Sequence, residues 1–197
     1  MILLKLFKKI LSIIRWKYNQ TKFGAIGKGS RIGKPLLIKN KKSIKLGINV
    51  ILFPHSRIEL IDRYSGKNYN PELIIGNNSQ IHQNCHLTCA QQIVIGNNVI
   101  IVANVTITDI IHPHDNVLEP INQNPIKTLP VRIEDEVYIY NNSVILPGVS
   151  IGKHSIIGAN SVVTTSVPSY SIAVGNPAKV IKRYNFETKL WERVKSD

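Results

Sequence analysis

Two histidines in the segment TDIIHPHDN, His112 and His114, are the side chains of this sequence best suited to acid–base chemistry. An imidazole titrates near neutral pH, so it can accept a proton from a hydroxyl group and pass it on. Such a base needs a partner that holds its other ring nitrogen. Asp109, Asp115 and Glu119 lie nearby in the sequence, and a backbone carbonyl would also serve. The sequence therefore predicts a general base at His112 or His114 and leaves its partner open.

The other four histidines differ in what they indicate. His82 and His86 flank Asn84 in the segment IHQNCHLT, where they either line a cleft or decorate a surface. His55 and His154 stand at corner positions of the repeat described below and carry no functional signal. We therefore retain His82 and His86 as candidate substrate contacts.

The two cysteines, Cys85 and Cys89, are four residues apart, and the sequence contains no second pair. This spacing matches neither a zinc ribbon nor a disulfide framework, and it favours a reduced, cytoplasmic protein without a structural metal. The sequence also lacks a GxSxG segment and a P-loop, so it predicts neither a serine nucleophile nor that type of phosphate site.

The elements that carry these residues repeat every six positions. From Ile133 the chain reads IEDEVY, IYNNSV, ILPGVS, IGKHSI, IGANSV and VTTSVP, and the same frame occurs in the first half of the sequence. All fifteen such hexads begin with Ile, Leu or Val, and thirteen of them carry Val, Ser or Cys at the fifth position. The two exceptions are Leu36 and Gln91. Because positions one and five face the same side of an extended segment, the pattern predicts a single aliphatic interior.

Turn-forming residues between those positions predict one corner in each hexad. Three strands and three corners make a triangular coil, and stacked coils bury a continuous core, so we expect an all-β solenoid over residues 21–177. Two stretches, residues 58–74 and 108–132, leave the frame and are expected to protrude as loops; the second loop holds His112. Residues 178–197 are expected to form a C-terminal helix that covers the open end of the last coil.

The chain is strongly basic, with 25 Lys and Arg residues against 12 Asp and Glu residues and a formal charge of +13. This charge attracts anionic partners, but no basic motif with interleaved aromatic residues predicts nucleic-acid binding. Residues 1–20 form a basic N-terminal segment that is too short and too charged to cross a bilayer. The apolar helical face of residues 1–16 fits either an anionic membrane surface or the end of the β-helix. That face comprises Leu3, Leu4, Phe7, Ile10, Leu11 and Ile14.

The run from Ile133 to Arg183, which includes IGANSVVTTSVPSYSIAVGNPAKVIKR, resembles the hexapeptide-repeat acyltransferases. Its GNPAKVIK ending and the HP-containing loop are similar to those of the maltose and galactoside acetyltransferases and of the sugar O-acetyltransferases of surface-polysaccharide synthesis. The resemblance covers residues 75–183 well and the earlier repeats in pattern alone. It implies a left-handed parallel β-helix, a homotrimer, acetyl-coenzyme A (acetyl-CoA) as donor and no required metal. The implied acceptor is a sugar hydroxyl of a surface polysaccharide, such as capsule or O-antigen, or of its precursor.

The resemblance also assigns roles to residues. His112 precedes a proline, as the family's catalytic histidine does, and would deprotonate the acceptor hydroxyl for direct attack on the thioester. His114 remains a rival for this role, and Asp109 is a candidate to orient the base. Asn84 matches the family position beside the histidine and would contact the tetrahedral oxyanion. The implied donor-binding residues are Asn141, Ala159, Thr164, Thr165, Lys179, Lys182 and Arg183.

One departure from the family concerns Tyr140, which stands where the family has a small residue next to the donor groove. We expect Tyr140 to reshape the thiol end of that groove and, with His82, His86 and His114, to face the substrate. Two alternatives stay open: N-acetylation of a nucleotide-linked amino sugar, and a metalloenzyme like the γ-type carbonic anhydrases. The latter needs three histidines on zinc, for which His82, His86 and His112 are available.

Overall fold

Each hexad of the sequence contributes one short strand and one corner to a triangular coil. The structure is a computed structural model that describes residue 18 and residues 21–194. In all fifteen hexads the aliphatic first residue lies in a strand. Three sheets result, and we number their corners in chain order. The first corner joins the first and second sheets, the second corner joins the second and third, and the third corner returns the chain to the first sheet.

The first sheet holds one strand from each of six coils. All its strands run parallel, and each pairs with the strand one coil further along the chain. In spatial order they are β1 (Ala25–Ile26), β4 (Ile44–Leu46), β9 (Glu72–Ile75), β12 (Gln92–Ile95), β17 (Val131–Ile133) and β20 (Ser150–Ile151).

The second sheet is the longest, because two antiparallel strands extend it beyond the last coil. Its other strands pair in parallel. In spatial order they are β2 (Arg31–Ile32), β5 (Ile51–Leu52), β10 (Gln80–Ile81), β13 (Ile100–Ile101), β18 (Tyr138–Ile139), β21 (Ile156–Ile157), β23 (Ser171–Gly175), β24 (Ala178–Asn185) and β25 (Leu190–Arg193).

The third sheet completes the prism and is again parallel. Its strands, in spatial order, are β3 (Leu37–Lys39), β6 (Arg57–Leu60), β11 (His86–Cys89), β14 (Thr106–Thr108), β19 (Val144–Ile145) and β22 (Val162–Val163). The remaining elements are two antiparallel hairpins and two short 3₁₀ helices. They are β7 (Arg63–Tyr64) with β8 (Lys67–Asn68), β15 (Ile110–Ile111) with β16 (Lys127–Thr128), Lys41–Ser43 and Ile121–Gln123.

The core is a set of aliphatic columns that run along the prism axis. In the second sheet Ile81, Ile101, Ile139 and Ile157 lie directly above one another in register, and each is 0% exposed. Repetition of one branched side chain lets successive coils interlock at high packing density. The three parallel sheets confirm the predicted all-β solenoid, and their stacked repeat is consistent with a left-handed β-helix.

Polar residues of the hexad hold neighbouring coils together at the corners. The buried hydroxyl of Ser79 donates to the Gly96 carbonyl oxygen (2.8 Å) and accepts from the Val99 amide (3.0 Å). At the fourth position Asn78 has a φ of 58° and donates through its side chain to the Asn98 side-chain oxygen (3.3 Å). Asparagine tolerates this left-handed conformation better than most residues do. These contacts explain why Ser and Asn recur in the repeat.

The expected C-terminal helix over residues 178–197 is wrong: within the described residues this segment forms β24 and β25. The side chains from Ala178 alternate between partly buried and exposed, and Val180 packs against the hydrophobic core. This period of two is the pattern of a strand. β23 offers an unpaired edge at the end of the second sheet, and β24 covers that edge.

The N-terminal interpretation, a membrane-surface or capping helix over residues 1–16, lies outside the described residues. In the part of the chain that is described, no helix has both the length and the apolar character needed to cross a bilayer.

Candidate functional site

Both segments that leave the hexad frame protrude at the third corner of the prism. The first loop, residues 61–71, follows β6, and the second loop, residues 109–130, follows β14. Only one coil lies between them, with a short turn at residues 90–91 in the corresponding place. Each loop contains an antiparallel hairpin, β7–β8 in the first and β15–β16 in the second. Both loops fall within the predicted stretches 58–74 and 108–132, whose ends belong to strands β6, β9, β14 and β17, and they lie side by side.

Asp109 anchors the base of the second loop. Its side chain is 0% exposed, and its carboxylate accepts hydrogen bonds from the backbone amides of Ala90, Gln91 and Gln92, each 2.8 Å long. Its own carbonyl oxygen accepts from the Leu129 amide at the other end of the loop (2.8 Å). The carboxylate thus joins the loop to the turn of the coil below. Both carboxylate oxygens accept from backbone amides, and no hydrogen bond joins Asp109 to His112 within the described chain.

His112 follows β15 and is exposed at the third corner. Its ring meets the ring of Tyr64 from the first loop edge to face, with centroids 5.4 Å apart and an interplanar angle of 70°. Among the described residues its ring nitrogens have no hydrogen-bond partner, so both are open to a substrate or to a second chain. This is the arrangement that a general base needs on its reactive side.

The remaining acid–base candidates of the second loop are also exposed. His114 and Glu119 lie on the loop surface, and the Asp115 carboxylate lies 3.2 Å from the Lys127 ammonium group. Neither Asp115 nor Glu119 donates to or accepts from His112 within the described chain. The orienting partner of His112 is therefore not supplied by any of the three nearby carboxylates in this structure.

The first loop supports the second loop from below. The hydroxyls of Tyr64 and Ser65 both donate to the Asn122 carbonyl oxygen, at 3.2 and 3.1 Å. The Tyr69 hydroxyl donates to the carbonyl oxygen of the buried Ile126 (3.0 Å), and burial raises the pKa of Tyr69. Through these hydrogen bonds the first loop fixes the second loop, which carries His112.

A second group of candidate residues lies at the second corner, away from His112. Asn84 is exposed there with a φ of 60°, and the rings of Tyr138 and Tyr140 lie 4.7 Å apart two coils further along. Asn141 and Ala159 occupy equivalent positions in successive coils, and the Asn141 carbonyl oxygen accepts from the amide of residue 160 (2.9 Å). Within one chain, Asn84 and His112 are therefore not neighbours, because they lie at different corners of the prism.

The two histidines that flank Asn84 occupy different surroundings. His82 stacks on Phe53, with ring centroids 4.5 Å apart, and burial lowers its pKa. His86 faces outward from the third sheet, where its Nε2 atom lies 3.0 Å from the Thr88 hydroxyl and 3.5 Å from the Glu59 carboxylate. A hydrogen bond from Arg57 lowers the pKa of Glu59. Neither histidine contacts the second loop.

The implied donor-binding residues divide between two edges of the prism. Asn141 and Ala159 lie at the second corner, and Lys179 is the second residue of β24, beside that same corner. Along β24, Lys182 and Arg183 pair with Ile172 and Ser171 and lead away across the second sheet. Thr164 and Thr165, by contrast, are exposed at the third corner after β22.

Comparison with known proteins agrees with the hexapeptide repeat. The family described as bacterial transferase hexapeptide (six repeats) matches residues 130–165. WbbJ of Escherichia coli strain K12, named as an O-acetyl transferase of lipopolysaccharide biosynthesis, is 32% identical over 166 residues, which are 81% of each protein. This chain belongs to the hexapeptide-repeat acetyltransferases. The resemblance of the sequence to that family is thus confirmed, and the chain is an acetyltransferase.

Solved structures of hexapeptide-repeat acetyltransferases share the fold. A maltose O-acetyltransferase from Clostridium difficile 630 superposes with a TM-score of 0.58 at 30% identity, covering 84% of this chain and 72% of that protein. A galactoside acetyltransferase in complex with coenzyme A superposes with a TM-score of 0.60 at 25% identity, covering 90% and 76%.

The cysteines and histidines of this acetyltransferase do not assemble a metal centre within the described residues. His82 lies at the second corner, His86 on the third sheet and His112 at the third corner, so one chain does not bring the three together. Cys85 and Cys89 are both buried, and burial raises the pKa of the Cys85 thiol to about 11. Neither thiol is available as a nucleophile at neutral pH.

The sequence did not indicate three residues that contact the second loop: Tyr64, Ser65 and Tyr69. A signal was present, because both out-of-frame stretches begin after a strand of the third sheet, two coils apart. Because both loops follow a strand of the third sheet, they leave the prism at the same corner, and their side chains can contact each other there. The tyrosines of residues 58–74 were therefore candidates for contact with the second loop.

Proposed function

We propose that this chain transfers the acetyl group of acetyl-CoA to a sugar hydroxyl with His112 as general base. The observation that carries the proposal is the placement of His112: exposed, with both ring nitrogens free in the described chain, on a loop held by Asp109 and the first loop. The names of the relatives support the reaction class, since one relative is named for galactoside and another for maltose acetylation.

In the proposed step a ring nitrogen of His112 takes the proton of the acceptor hydroxyl as its oxygen attacks the thioester carbonyl. The tetrahedral intermediate carries a negative oxygen, which the side-chain amide of Asn84 would stabilise by donating a hydrogen bond. Collapse breaks the carbon–sulfur bond, and the departing thiolate takes the proton back from the imidazolium. The products are the acetyl ester and free coenzyme A, and no covalent enzyme intermediate is needed.

A homotrimer would complete this site. Asn84 lies at the second corner and His112 at the third, so a site that uses both must take them from neighbouring copies of a left-handed β-helix. Several outward-facing residues of the second sheet support such an association, because they are apolar and only partly buried in the single chain. They include Ile51, Ile100, Tyr138, Ile156 and Ile172.

The donor would bind along the second corner. Asn141 and Ala159 would line the pantetheine arm, and Lys179, Lys182 and Arg183 would meet the nucleotide phosphates. The exposed Thr164 and Thr165 would contribute from the third corner of the neighbouring copy. Tyr140, 43% exposed beside Tyr138, would narrow the thiol end of this groove.

The acceptor we favour is a sugar of a surface polysaccharide or its precursor, acetylated in the cytoplasm or at the inner membrane face. The name of WbbJ, with its lipopolysaccharide role, supports this choice. His114 on the same loop, and His82 and His86 on the neighbouring face, would contact the sugar. N-acetylation of a nucleotide-linked amino sugar remains the second candidate, since a solved N-acyltransferase in complex with dTDP shares the fold.

The test is an acceptor screen with acetyl-CoA in which free thiol release is followed. Sugars with free hydroxyls and nucleotide-linked amino sugars are compared at equal concentration. Release with the hydroxyl sugars supports the proposal, whereas release confined to the amino sugars transfers it to N-acetylation. Retention of activity after exhaustive metal chelation separates both from a zinc enzyme.

A further inference from the structure

The basic residues of this protein are concentrated in the first part of its sequence. Fourteen of its 25 basic residues, and none of its 12 acidic residues, precede Glu59 in the sequence. From Glu59 onward the two signs nearly balance, with eleven basic residues against twelve acidic ones. The formal charge of +13 therefore belongs almost entirely to the first part of the chain.

The fold converts this sequence asymmetry into a spatial one. β1, β2 and β3 each stand at the end of their sheets, so the coil of residues 22–43 forms one end of the described prism. We call it the terminal coil. It carries basic residues on all three of its corners and no acidic residue: Lys22, Lys28, Arg31, Lys34, Lys39, Lys41 and Lys42.

These cations are available to an external partner. All except Lys41 are exposed, and within the described part of the chain none of the seven forms an ion pair. The nearest coil differs, because there Lys45 is paired with Glu72 at 2.6 Å and Arg57 with Glu59. Unpaired like charges gathered at one end create an attractive field for an anionic surface.

Exposed apolar side chains lie among the cations. In the segment KPLLIK, between Lys34 and Lys39, Leu36 is 73% exposed and Leu37 is 39% exposed. Cations together with aliphatic side chains are what a lipid headgroup region accommodates. A single-stranded nucleic acid would in addition stack on aromatic rings, and the one aromatic residue of the terminal coil, Phe23, is 2% exposed.

We propose that the terminal coil docks this protein on an anionic lipid bilayer. The cations meet the headgroup phosphates, and Leu36 enters the headgroup layer. His112 lies on the fourth coil, three sheet spacings of about 4.8 Å from the terminal coil, or roughly 15 Å above the surface. The docking does not depend on the proposed reaction. The distance of His112 from the membrane surface would suit an acceptor that is linked to a lipid.

The test is sedimentation of the full chain with phosphatidylcholine vesicles and with vesicles of phosphatidylcholine and phosphatidylglycerol at 3:1. We expect binding to the anionic vesicles alone, weakened by 0.5 M NaCl through screening of the charges. Equal binding to both compositions, or binding to neither, overturns the proposal.

Matched double variants locate the contact. Lys34→Gln with Lys39→Gln removes two charges beside Leu36, and we expect about a thirtyfold loss of affinity for the anionic vesicles. The control, Lys189→Gln with Arg193→Gln, removes two charges at the opposite end and should change affinity less than about twofold. An equal loss in both variants indicates a generic response to net charge and overturns the assignment to the terminal coil.

Two further measurements separate competing explanations. Leu36→Gln should weaken vesicle binding by about tenfold, since a polar side chain gains nothing from the headgroup layer. A single-stranded oligonucleotide that binds the protein as tightly as the anionic vesicles do would reassign the surface to a nucleic acid. Acetyl transfer to a soluble acceptor should be unchanged in the Lys34 and Lys39 variant, so a failed docking test leaves the proposed reaction separately testable.

Discussion

His112 and Asp109 are three residues apart, yet their surroundings assign them to different tasks. His112 is exposed and its ring nitrogens are free within the described chain, whereas Asp109 is fully buried and accepts three backbone hydrogen bonds. A carboxylate saturated by backbone donors is a structural group. A histidine whose ring nitrogens are free is able to take the proposed role of general base. The sequence indicated His112 as a candidate base. It did not show the hydrogen-bond partners of Asp109, because these lie in a turn of another coil.

Replacing His112 with alanine should reduce acetyl transfer by about 10²- to 10⁴-fold, because the acceptor hydroxyl loses its base. The matched comparison is His114→Ala, which removes an exposed ring of the same loop and a proposed sugar contact, so it should raise KM for the acceptor while leaving kcat largely unchanged. Steady-state kinetics with acetyl-CoA and the acceptor from the screen provide the measurement. If His114→Ala is the inactive variant, the assignment of the base is reversed.

Replacing Asp109 with alanine should lower the free energy of unfolding by about 2–4 kcal/mol, since three buried amides lose their acceptor. Asp109→Asn should lose less, because one side-chain oxygen can still accept. Asp115→Ala removes an exposed carboxylate paired with Lys127 and should cost less than about 1 kcal/mol. Denaturant titrations of the three variants compare these losses directly. Equal losses at positions 109 and 115 would show that Asp109 is not an anchor.

At the scale of elements, the hexads were predictable and the C-terminal segment from Ala178 was not. Strands of the coils follow from an aliphatic residue at every sixth position, a purely local pattern. The segment from Ala178 combines β-branched residues with lysines, and its assignment as a helix failed because its partner, the edge of β23, is a feature of the sheet. The contacts between the two loops were not predicted either, because they join Tyr64 to residues about fifty positions away in the sequence.

Tyr64 offers a test of that contact between loops. Tyr64→Phe removes the hydrogen bond to Asn122 but keeps the ring against His112, so we expect a loss in kcat of less than about threefold. Tyr64→Ala removes both contacts and should lower kcat by about ten- to a hundredfold through misplacement of the base.

A merely structural role for Tyr64 would lower stability without altering the kinetics of the folded fraction. The pH profile of kcat for the folded fraction distinguishes the two, since a merely structural role leaves that profile unchanged. An unchanged profile and unchanged kcat in Tyr64→Ala would remove Tyr64 from the site.

At the scale of the whole molecule, the prism separates groups that the proposed reaction needs together. Asn84 and His112 lie on different corners of one chain, and the donor-binding candidates divide along the same line, with Asn141 and Ala159 on one side and Thr164 on the other. An assembly of copies is the arrangement that reunites both sets.

Mixing two inactive variants tests this assembly. If each site takes His112 from one copy and Asn84 from its neighbour, randomly mixed trimers of His112→Ala and Asn84→Ala chains contain intact sites. Their expected share is about a quarter of all sites. Activity of the mixture after unfolding and refolding together, compared with each variant treated alone, provides the measurement. A mixture as inactive as its components would place both residues in one chain's site.

The sequence by itself determined the coil, its aliphatic interior and the positions at which the chain leaves the repeat. These features depend on side chains only a few residues apart, so periodicity is sufficient to predict them. Only the tertiary structure decided that Asp109 anchors a loop, that Tyr64 faces His112 and that Asn84 stands on another corner. Each of these depends on the stacking of coils, which places residues about twenty positions or more apart next to one another or on opposite edges. The tertiary structure also gathered the basic residues of the terminal coil at one end of the described prism, because the strands of that coil are the first in all three sheets.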